Sequence, residues 1–517
     1  MMKVIKIKER VHSLHFKGGL AWVNLEESII VKGKMRTCLL LCYLITSLYG
    51  LAQNNLQFKI DSIVNHSIYK DVKLGISVRD AESGEILADV YKDMMMIPAS
   101  SLKLITTLSS LDILGNDFQY ETRVSYDGIL HDNGILEGNV YIEGSGDPSL
   151  GSERIPGVLS TSLLLSNIVQ DIKKAGILCI EGKIIADASS FACQPVSPSW
   201  HWSDLGNYYA AGAWALNIHE NSYNLWYECD GPVGALTKIA YYEPHIPDLA
   251  FENDVRIGKA FTGDNAYIFG GPYTNIKKVT GTLPKGKSLY KIRGSMPDPT
   301  HFFTFSLKKE LEKNNMGSDT VFTLLQPDQY KYTRKEISNY RSPDLKTLVK
   351  YTNESSINLY AESILRTLGL KEFRDGSDSA GIAAIKKQLF SFGFDESSFT
   401  LDDGSGLSTK NQVSADLLSR FLVQFLKSKD RALVKEIIPS VGERGTIKRL
   451  LVNSEAKGKI WAKSGSMNNV LSYTGYCETE SGRFIAFSII LNTHDAHGKQ
   501  PRRGELEKIL EAIYKFC

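Results

Sequence analysis

Apolar and polar residues alternate along Leu74-Gly75-Ile76-Ser77-Val78-Arg79-Asp80, the period of two that sends successive side chains to opposite faces of a strand. Glu82-Ser83-Gly84-Glu85 interrupts the alternation as a turn, and Ile86 to Tyr91 resumes it, so the segment predicts a β-hairpin. After Pro98 the period changes. Leu104, Leu108, Leu111 and Leu114 recur at helical spacing with small Ser109 and Ser110 between them, which predicts that the hairpin feeds a buried helix over Ser100 to Leu114.

From about Tyr120 to Ser295 the texture becomes short alternating runs separated by Gly, Pro, Asp and Asn. Thr122-Arg123-Val124-Ser125-Tyr126, Gly138 to Glu143 and Gly182 to Asp187 are examples, and together they predict a β-rich region of one or two small domains. A mixed pattern returns from about Thr300, with helices predicted over Leu345 to Tyr351, Ile357 to Leu368 and Ala415 to Leu426. Two strands, near Tyr473 to Tyr476 and Arg483 to Leu491, and a closing helix from Gly504 to Phe516 complete it. This order predicts an α/β domain built from residues 53–120 and 297–517 and interrupted by a β-rich insertion over 121–296. A chain of 517 residues is long enough for such a division.

The N-terminus alters the charge picture. Lys32, Lys34 and Arg36 precede an apolar run from Cys38 to Leu48, and Gly50-Leu51-Ala52 supplies small residues at the cleavage-determining positions before Gln53. This is the pattern of a secretory signal peptide over 35–52, and the run is too short to span a bilayer as an uncleaved anchor. Translation is expected to start at Met35, with 1–34 an over-extension of the reading frame. Eight basic and three acidic residues lie before Gln53, which leaves 52 basic against 55 acidic residues after it, a net of −3. That balance excludes a nucleic-acid partner, because phosphate binding requires a basic excess. No later stretch approaches 18 apolar residues, so no integral membrane segment is expected after cleavage, and a periplasmic location follows.

Cys179, Cys193, Cys229, Cys477 and Cys517 remain in the mature chain. Export permits disulfides, but an odd number leaves at least one thiol over; Cys179 with Cys193 is one candidate pair, and the pairing is open. No spacing of Cys and His suggests a metal site. His494-Asp495-Ala496-His497 has the residue types of a zinc ligand set without a third partner, so neither metal nor any other cofactor is expected.

The candidate chemistry begins at Ser100-Ser101-Leu102-Lys103. Residues i and i+3 share a helix face, which brings the Lys103 amine within reach of the Ser100 hydroxyl as a general base, provided that burial or a nearby cation keeps the amine neutral. Ser-x-x-Lys also begins at Ser67, Ser288, Ser306 and Ser454. Ser100 differs in opening an apolar helix directly after a Pro-Ala turn, where backbone N–H groups and the helix dipole can stabilise an oxyanion. Two further elements follow in order: Ser356-Ile357-Asn358 at the head of a predicted helix, and Lys463-Ser464-Gly465-Ser466 ahead of the predicted strand pair.

With this ordered trio the chain resembles the penicillin-recognising serine acyltransferases, whose signature is Ser-x-x-Lys, a Ser-x-Asn type element and Lys-Thr-Gly. Gly144 to Leu150, Trp200-His201-Trp202-Ser203-Asp204 and Asp403-Gly404-Ser405-Gly406-Leu407-Ser408 narrow the resemblance. So does the separation of 256 residues between Ser100 and Ser356. Over about residues 55 to 515 the chain is similar to the class C low-molecular-mass penicillin-binding proteins, which are D-alanyl-D-alanine carboxypeptidases/endopeptidases. The resemblance implies a penicillin-binding/β-lactamase-like transpeptidase domain of the α/β (α+β) type, an antiparallel sheet flanked by helices.

It further implies an exported serine D,D-peptidase that acts on peptidoglycan peptides through an acyl-enzyme and binds β-lactam antibiotics covalently. Ser100 would be the nucleophile and Lys103 its base. Ser356 would relay a proton to the departing D-alanine, and Asn358 would hold Lys103 and the substrate amide. Lys463 and Ser464 would bind the terminal carboxylate, and the Gly465 segment would place the Ser466 N–H beside that of Ser100 as the oxyanion hole. Asp204 would face the free amine of the peptide's diamino acid. Three positions depart from the family: Ser464 replaces Thr and keeps the hydroxyl, Thr409 stands where Arg is common, and Asn468 replaces a frequent Gln. A serine β-lactamase and a non-catalytic peptidoglycan-binding protein are the alternatives. Oligomeric state, the preferred diamino acid and the carboxypeptidase-to-endopeptidase balance stay open.

Overall fold

The computed structural model describes residues 56–66, 69, 72–326, 333–493 and 503–517. The signal peptide, the start at Met35 and the His494/His497 pair lie outside the described residues.

The predicted hairpin forms as β1 (Val72–Asp80) and β2 (Ile86–Val90). Three strands from the far end of the chain complete its sheet: β3 (Ile460–Met467), β4 (Val470–Glu478) and β5 (Phe484–Thr493), in the antiparallel order β3-β4-β5-β1-β2. An unbroken ladder from Val72↔Thr493 to Asp80↔Ile485 ties the two chain segments together. Both faces of β5 are covered, which explains its nearly continuous apolar sequence. Ile485, Phe487, Ile489 and Leu491 join the β1 residues Leu74, Ile76 and Val78 in a layer closed by the C-terminal helix Arg503–Phe516. Ala486 and Ile490 face the helical layer on the other side.

At the centre of that layer is α1 (Lys103–Ile113), entered through a one-turn 3-10 helix, Ala99–Leu102. Every residue of α1 from Lys103 to Leu111 is buried, Ser109 and Ser110 included, so the helix is apolar or small nearly all round. Around it pack α2 (Leu345–Ser355), α3 (Asn358–Phe373), α4 (Asp378–Ser391) and α5 (Ala415–Leu426). Asp344, Ser377 and Ser414 cap α2, α4 and α5 by accepting from the N–H of Thr347, Ala380 and Leu417, contacts worth about 1 kcal/mol each. α4 is absent from the pattern-based expectation, and α2 and α3 run further than predicted.

The insertion is built on a five-stranded sheet whose order in space is 321–324, 184–187, 140–143, 121–126 and 335–341. Three three-stranded sheets and the helices Thr161–Lys174 and Pro299–Lys313 share one core with it. The expected return to the catalytic part at residue 297 therefore falls inside this unit. Val321–Leu324 pairs with Ile184–Asp187, and Lys335–Arg341 with Glu121–Tyr126, so the sheet closes only at Arg341. There the outgoing and returning chains meet: the Ser342 N–H donates to the Tyr120 carbonyl at 3.0 Å, and the Tyr120 N–H donates to Ser342 Oγ at 2.9 Å. Thr161–Lys174 adds a helix to the β-rich insertion.

All five described cysteines are free thiols, so the candidate bridge between Cys179 and Cys193 is not formed. Cys179 lies in a strand paired to Ile135–Glu137, whereas the Cys193 carbonyl accepts from the Tyr273 hydroxyl in a separate loop. Among the described residues no helix is long and apolar enough to cross a membrane.

Candidate active site

The three sequence elements converge. Lys103 Nζ lies 3.0 Å from Ser100 Oγ, 2.6 Å from Asn358 Oδ1 and 2.7 Å from the Ser405 carbonyl. Lys463 Nζ lies 2.9 Å from Ser356 Oγ and 2.6 Å from the Ser464 carbonyl. Two hydroxyl–amine pairs thus stand side by side, and Asn358 joins the elements that carry them.

Local structure explains each placement. Ala99, at φ 48°, turns the chain sharply after Pro98, so that Ser100 and Lys103 fall on one side of the junction between the 3-10 turn and α1. Ser356 is the left-handed C-cap of α2, at φ 56°, and Asn358 is the first residue of α3. A left-handed non-glycine residue costs about 1–3 kcal/mol, and here it turns the Ser356 hydroxyl toward Lys463. Lys463 to Ser466 lie within β3, an edge strand of the sheet, directly ahead of the strand pair that the sequence pattern predicts. Gly465 marks how closely β3 approaches Ser100. A Cβ there would stand 2.3 Å from Ser472 Oγ, 2.6 Å from the Pro98 carbonyl and 2.9 Å from the Ser100 amide nitrogen.

Electrostatics prepare both lysines. Lys103 is wholly buried, and desolvation holds its amine down to about 8, against the opposing pull of Asp403 and Glu362. Lys463 is equally buried and is held well below the ordinary lysine value by desolvation, with the charge of Lys103 adding to the effect. Among the described residues neither amine has an ion-pair partner within hydrogen-bond reach, so an arriving carboxylate would meet a desolvated donor.

These groups open onto a cleft of about 880 Å³ between the catalytic part and the insertion, lined by Ser100, Ser356, Asn358, Thr409, Thr446, Ser466, Asn468 and Asp204. Ser464 Oγ meets Thr446 Oγ1 at 2.7 Å. Asp204 stands on the insertion wall, where its carboxylate accepts from the Tyr209 hydroxyl at 2.9 Å. The Tyr209 carbonyl in turn accepts from Asn358 Nδ2 at 2.8 Å, which links the insertion wall to the Ser-x-Asn element. Of the aromatic cluster, Trp200 is buried and donates to Asp403, Trp202 is exposed against Phe269, and Tyr208 and Tyr209 line the cleft. Ser100, Ser356, Asn358, Ser466 and Asp204 thus line one cleft, while Lys103, Lys463 and Ser464 are hydrogen-bonded to its lining residues and Gly465 packs against Ser100.

Sequence reasoning missed part of it. Arg154 grips Glu220 through Nε and Nη2, at 2.6 and 2.8 Å, and Arg293 lies over the Tyr208 ring on the same wall. Glu362 is buried beneath Lys103 and accepts from the N–H groups of Gly404 and Ser405. One signal was available, since Glu362 follows Asn358 by four residues on α3 and shares its face.

Residues 56–513 match the family model described as the D-Ala-D-Ala carboxypeptidase 3 (S13) family. A "Carboxypeptidase DacB" of Mycolicibacterium smegmatis is 30% identical over 432 residues, covering 82% of this chain and 77% of that protein. A "D-alanyl-D-alanine carboxypeptidase" of Actinomadura sp. is 24% identical over 457 residues, covering 86% and 82%. In fold, the crystal structure of penicillin binding protein 4 from Haemophilus influenzae superposes with a TM-score of 0.75 at 23% identity, covering 88% of this chain and 98% of that one. A family match that spans nearly all the described residues, with a serine–lysine pair, a Ser-x-Asn turn and a Lys-Ser-Gly edge strand meeting in one cleft, makes this chain a member of the S13 D-Ala-D-Ala carboxypeptidase family.

Proposed function

We propose that the chain is an exported serine D-Ala-D-Ala carboxypeptidase/endopeptidase that acts on peptidoglycan stem peptides and crosslinks. The observation that carries the reading is the 3.0 Å contact between Ser100 Oγ and a wholly buried Lys103 whose amine is held down to about 8.

Neutral Lys103 takes the proton of Ser100 as Oγ attacks the carbonyl carbon of the penultimate D-alanine. The negative charge that develops on the carbonyl oxygen is met by the N–H groups of Ser100 and Ser466, worth about 3 to 4 kcal/mol per donor in comparable sites. Lys463 and Ser464 hold the terminal carboxylate, whose arrival restores the charge that burial suppresses on Lys463. Ser356, hydrogen-bonded to Lys463, passes a proton to the departing amine. Asn358 fixes Lys103 and presents its amide to the substrate backbone. Water then hydrolyses the ester on Ser100. Asp204 favours a peptide with a cationic side chain. Covalent capture of β-lactams follows from the same acylation.

The test is turnover. The mature chain, incubated with a stem pentapeptide that ends in D-Ala-D-Ala and with a crosslinked dimer, should release free D-alanine from the first, cleave the second, or do both. A chain that releases no product from either and hydrolyses β-lactams rapidly is a β-lactamase; one that does neither is a binding protein.

A further inference from the structure

Beneath the Ser100–Lys103 pair lies a carboxyl group for which the acylation chemistry above has no use. Glu362 is 3% exposed and lies one turn after Asn358 on the same face of α3. Its carboxylate accepts from the N–H of Ser405 at 2.8 Å and from that of Gly404 at 3.1 Å. The carbonyls of the same two residues point to α1: Ser405 accepts from Lys103 Nζ at 2.7 Å, and Gly404 from Thr106 Oγ1 at 2.7 Å. The 404–405 backbone is therefore clamped, with its N–H groups on Glu362 and its carbonyls on Lys103 and Thr106. Glu362 stands one peptide unit from the base.

Packing alone does not account for an acid here. A buried carboxyl without a cation in hydrogen-bond contact is costly, and desolvation together with the charge of Asp403 pushes that of Glu362 up to about 8, so it is ionised over the same alkaline range in which Lys103 is neutral. Asp403 is committed elsewhere, since it accepts from the N–H groups of Gly406 and Ser408, from Asn411 Nδ2 and from Trp200 Nε1. Asp378, the other acid that faces Glu362, pairs with Arg366 at 2.7 Å. With Arg366 taken by Asp378, the amines on the Ser405 side are Lys103 and, beyond it, Lys463. During acylation the proton of Ser100 Oγ moves to Lys103 Nζ while the Oγ electron pair bonds to the substrate carbonyl carbon. A full positive charge then appears in a wholly buried place, and Glu362 is the acid beside it that neither a guanidinium nor a set of four donors already occupies.

We propose that Glu362 is a positioning residue for acylation: it locks the Ser405 carbonyl against Lys103 and matches its charge to the proton that the lysine takes from Ser100. The effect is felt where the proton has moved, so it acts on the rate of acylation and leaves substrate binding alone. It rests on Ser100 and Lys103 being the acylating pair.

The experiment measures acylation of the full chain by a fluorescent penicillin from pH 6 to 10, KM and kcat for a D-Ala-D-Ala peptide, and thermal melting, in the parent, E362Q and E362D. Glutamine keeps the shape, removes the charge and turns an NH2 group toward one of the two backbone N–H donors. The expected E362Q plateau rate is at least about tenfold below the parent, with KM within about twofold. Its rising limb moves to lower pH, because loss of a nearby negative charge favours the neutral amine. E362D keeps the charge and falls short of the loop, so its limb should stay near that of the parent while its plateau drops. Should E362Q fail to fold, E362D decides the matter by its plateau. A purely structural acid would change melting and the folded fraction while the limb and the rate per folded molecule stay at parent values, and that result in E362Q, or a parent-like plateau in E362D, overturns the proposal. A parent that takes no label would instead overturn the acylation reading itself, so the two failures are distinct.

Discussion

The depressed amine of Lys103 makes a quantitative claim about pH. A lysine at its ordinary value of 10.5 would be neutral in about one molecule in three thousand at pH 7, whereas one at about 8 is neutral in about one in ten, a gain of about three-hundredfold in competent base. The rate constant for acylation by a fluorescent penicillin should therefore climb about tenfold per pH unit below pH 7, bend near 8 and level off above 9. The perturbation is K103R. Arginine stays protonated throughout this range and cannot take the Ser100 proton, so acylation should fall by about 10² to 10⁴ and lose the limb. Stability carries the same signature with a definite sign. The folded-state value lies below the unfolded one, so the folding penalty is fully present below pH 8 and fades as pH rises toward 10.5. The stability of the parent relative to K103M should rise over that window by about 3 kcal/mol, read by denaturant titration at pH 7.5 and 10.5. A limb near pH 10.5, or a K103R chain that acylates like the parent, refutes the assignment of Lys103 as base.

Three shorter predictions follow from other contacts. Gly465→Ala puts a methyl 2.6 Å from the Pro98 carbonyl and 2.9 Å from the Ser100 amide, so β3 must retreat from the nucleophile; acylation should drop by about 100-fold with the fold retained by circular dichroism. Asp403→Ala strips the acceptor from four donors and should lower unfolding free energy by at least about 3 kcal/mol in urea titration, since a buried hydrogen bond to a charged group contributes about 1.5–3 kcal/mol. Asp204→Asn should raise KM for a peptide with a free side-chain amine and leave KM for the N-acetylated peptide within about twofold; an equal change for both peptides would remove Asp204 from amine recognition.

How much of this was legible depended on how locally each feature is encoded. The hairpin, α1 and the Ser100–Lys103 pair could be read because period, turn chemistry and i,i+3 spacing all lie within about 40 residues. Lys463-Ser464-Gly465-Ser466 carries little β signal of its own, being small and polar; the strand exists because β4 supplies the pairing from Ile460↔Cys477 to Met467↔Val470. The insertion ends later than its alternating texture suggests because Lys335–Arg341 finds its partner in Glu121–Tyr126, more than two hundred residues upstream. Thr161–Lys174 has a helical apolar stripe and a Ser160 cap, but short strands on either side masked it. Glu362 was hidden for a related reason. Its i+4 spacing from Asn358 places it on the same helix face, but its partners are backbone N–H groups, which that spacing does not announce.

The central claim is that Ser100 is the nucleophile of an acylating serine–lysine pair. Intact mass spectrometry of the mature chain after incubation with a fluorescent penicillin, beside Ser100→Ala, tests it most directly. One stoichiometric adduct on the parent and none on the variant is the predicted result. An adduct that persists in Ser100→Ala, or a parent that neither takes up nor hydrolyses the drug, contradicts it.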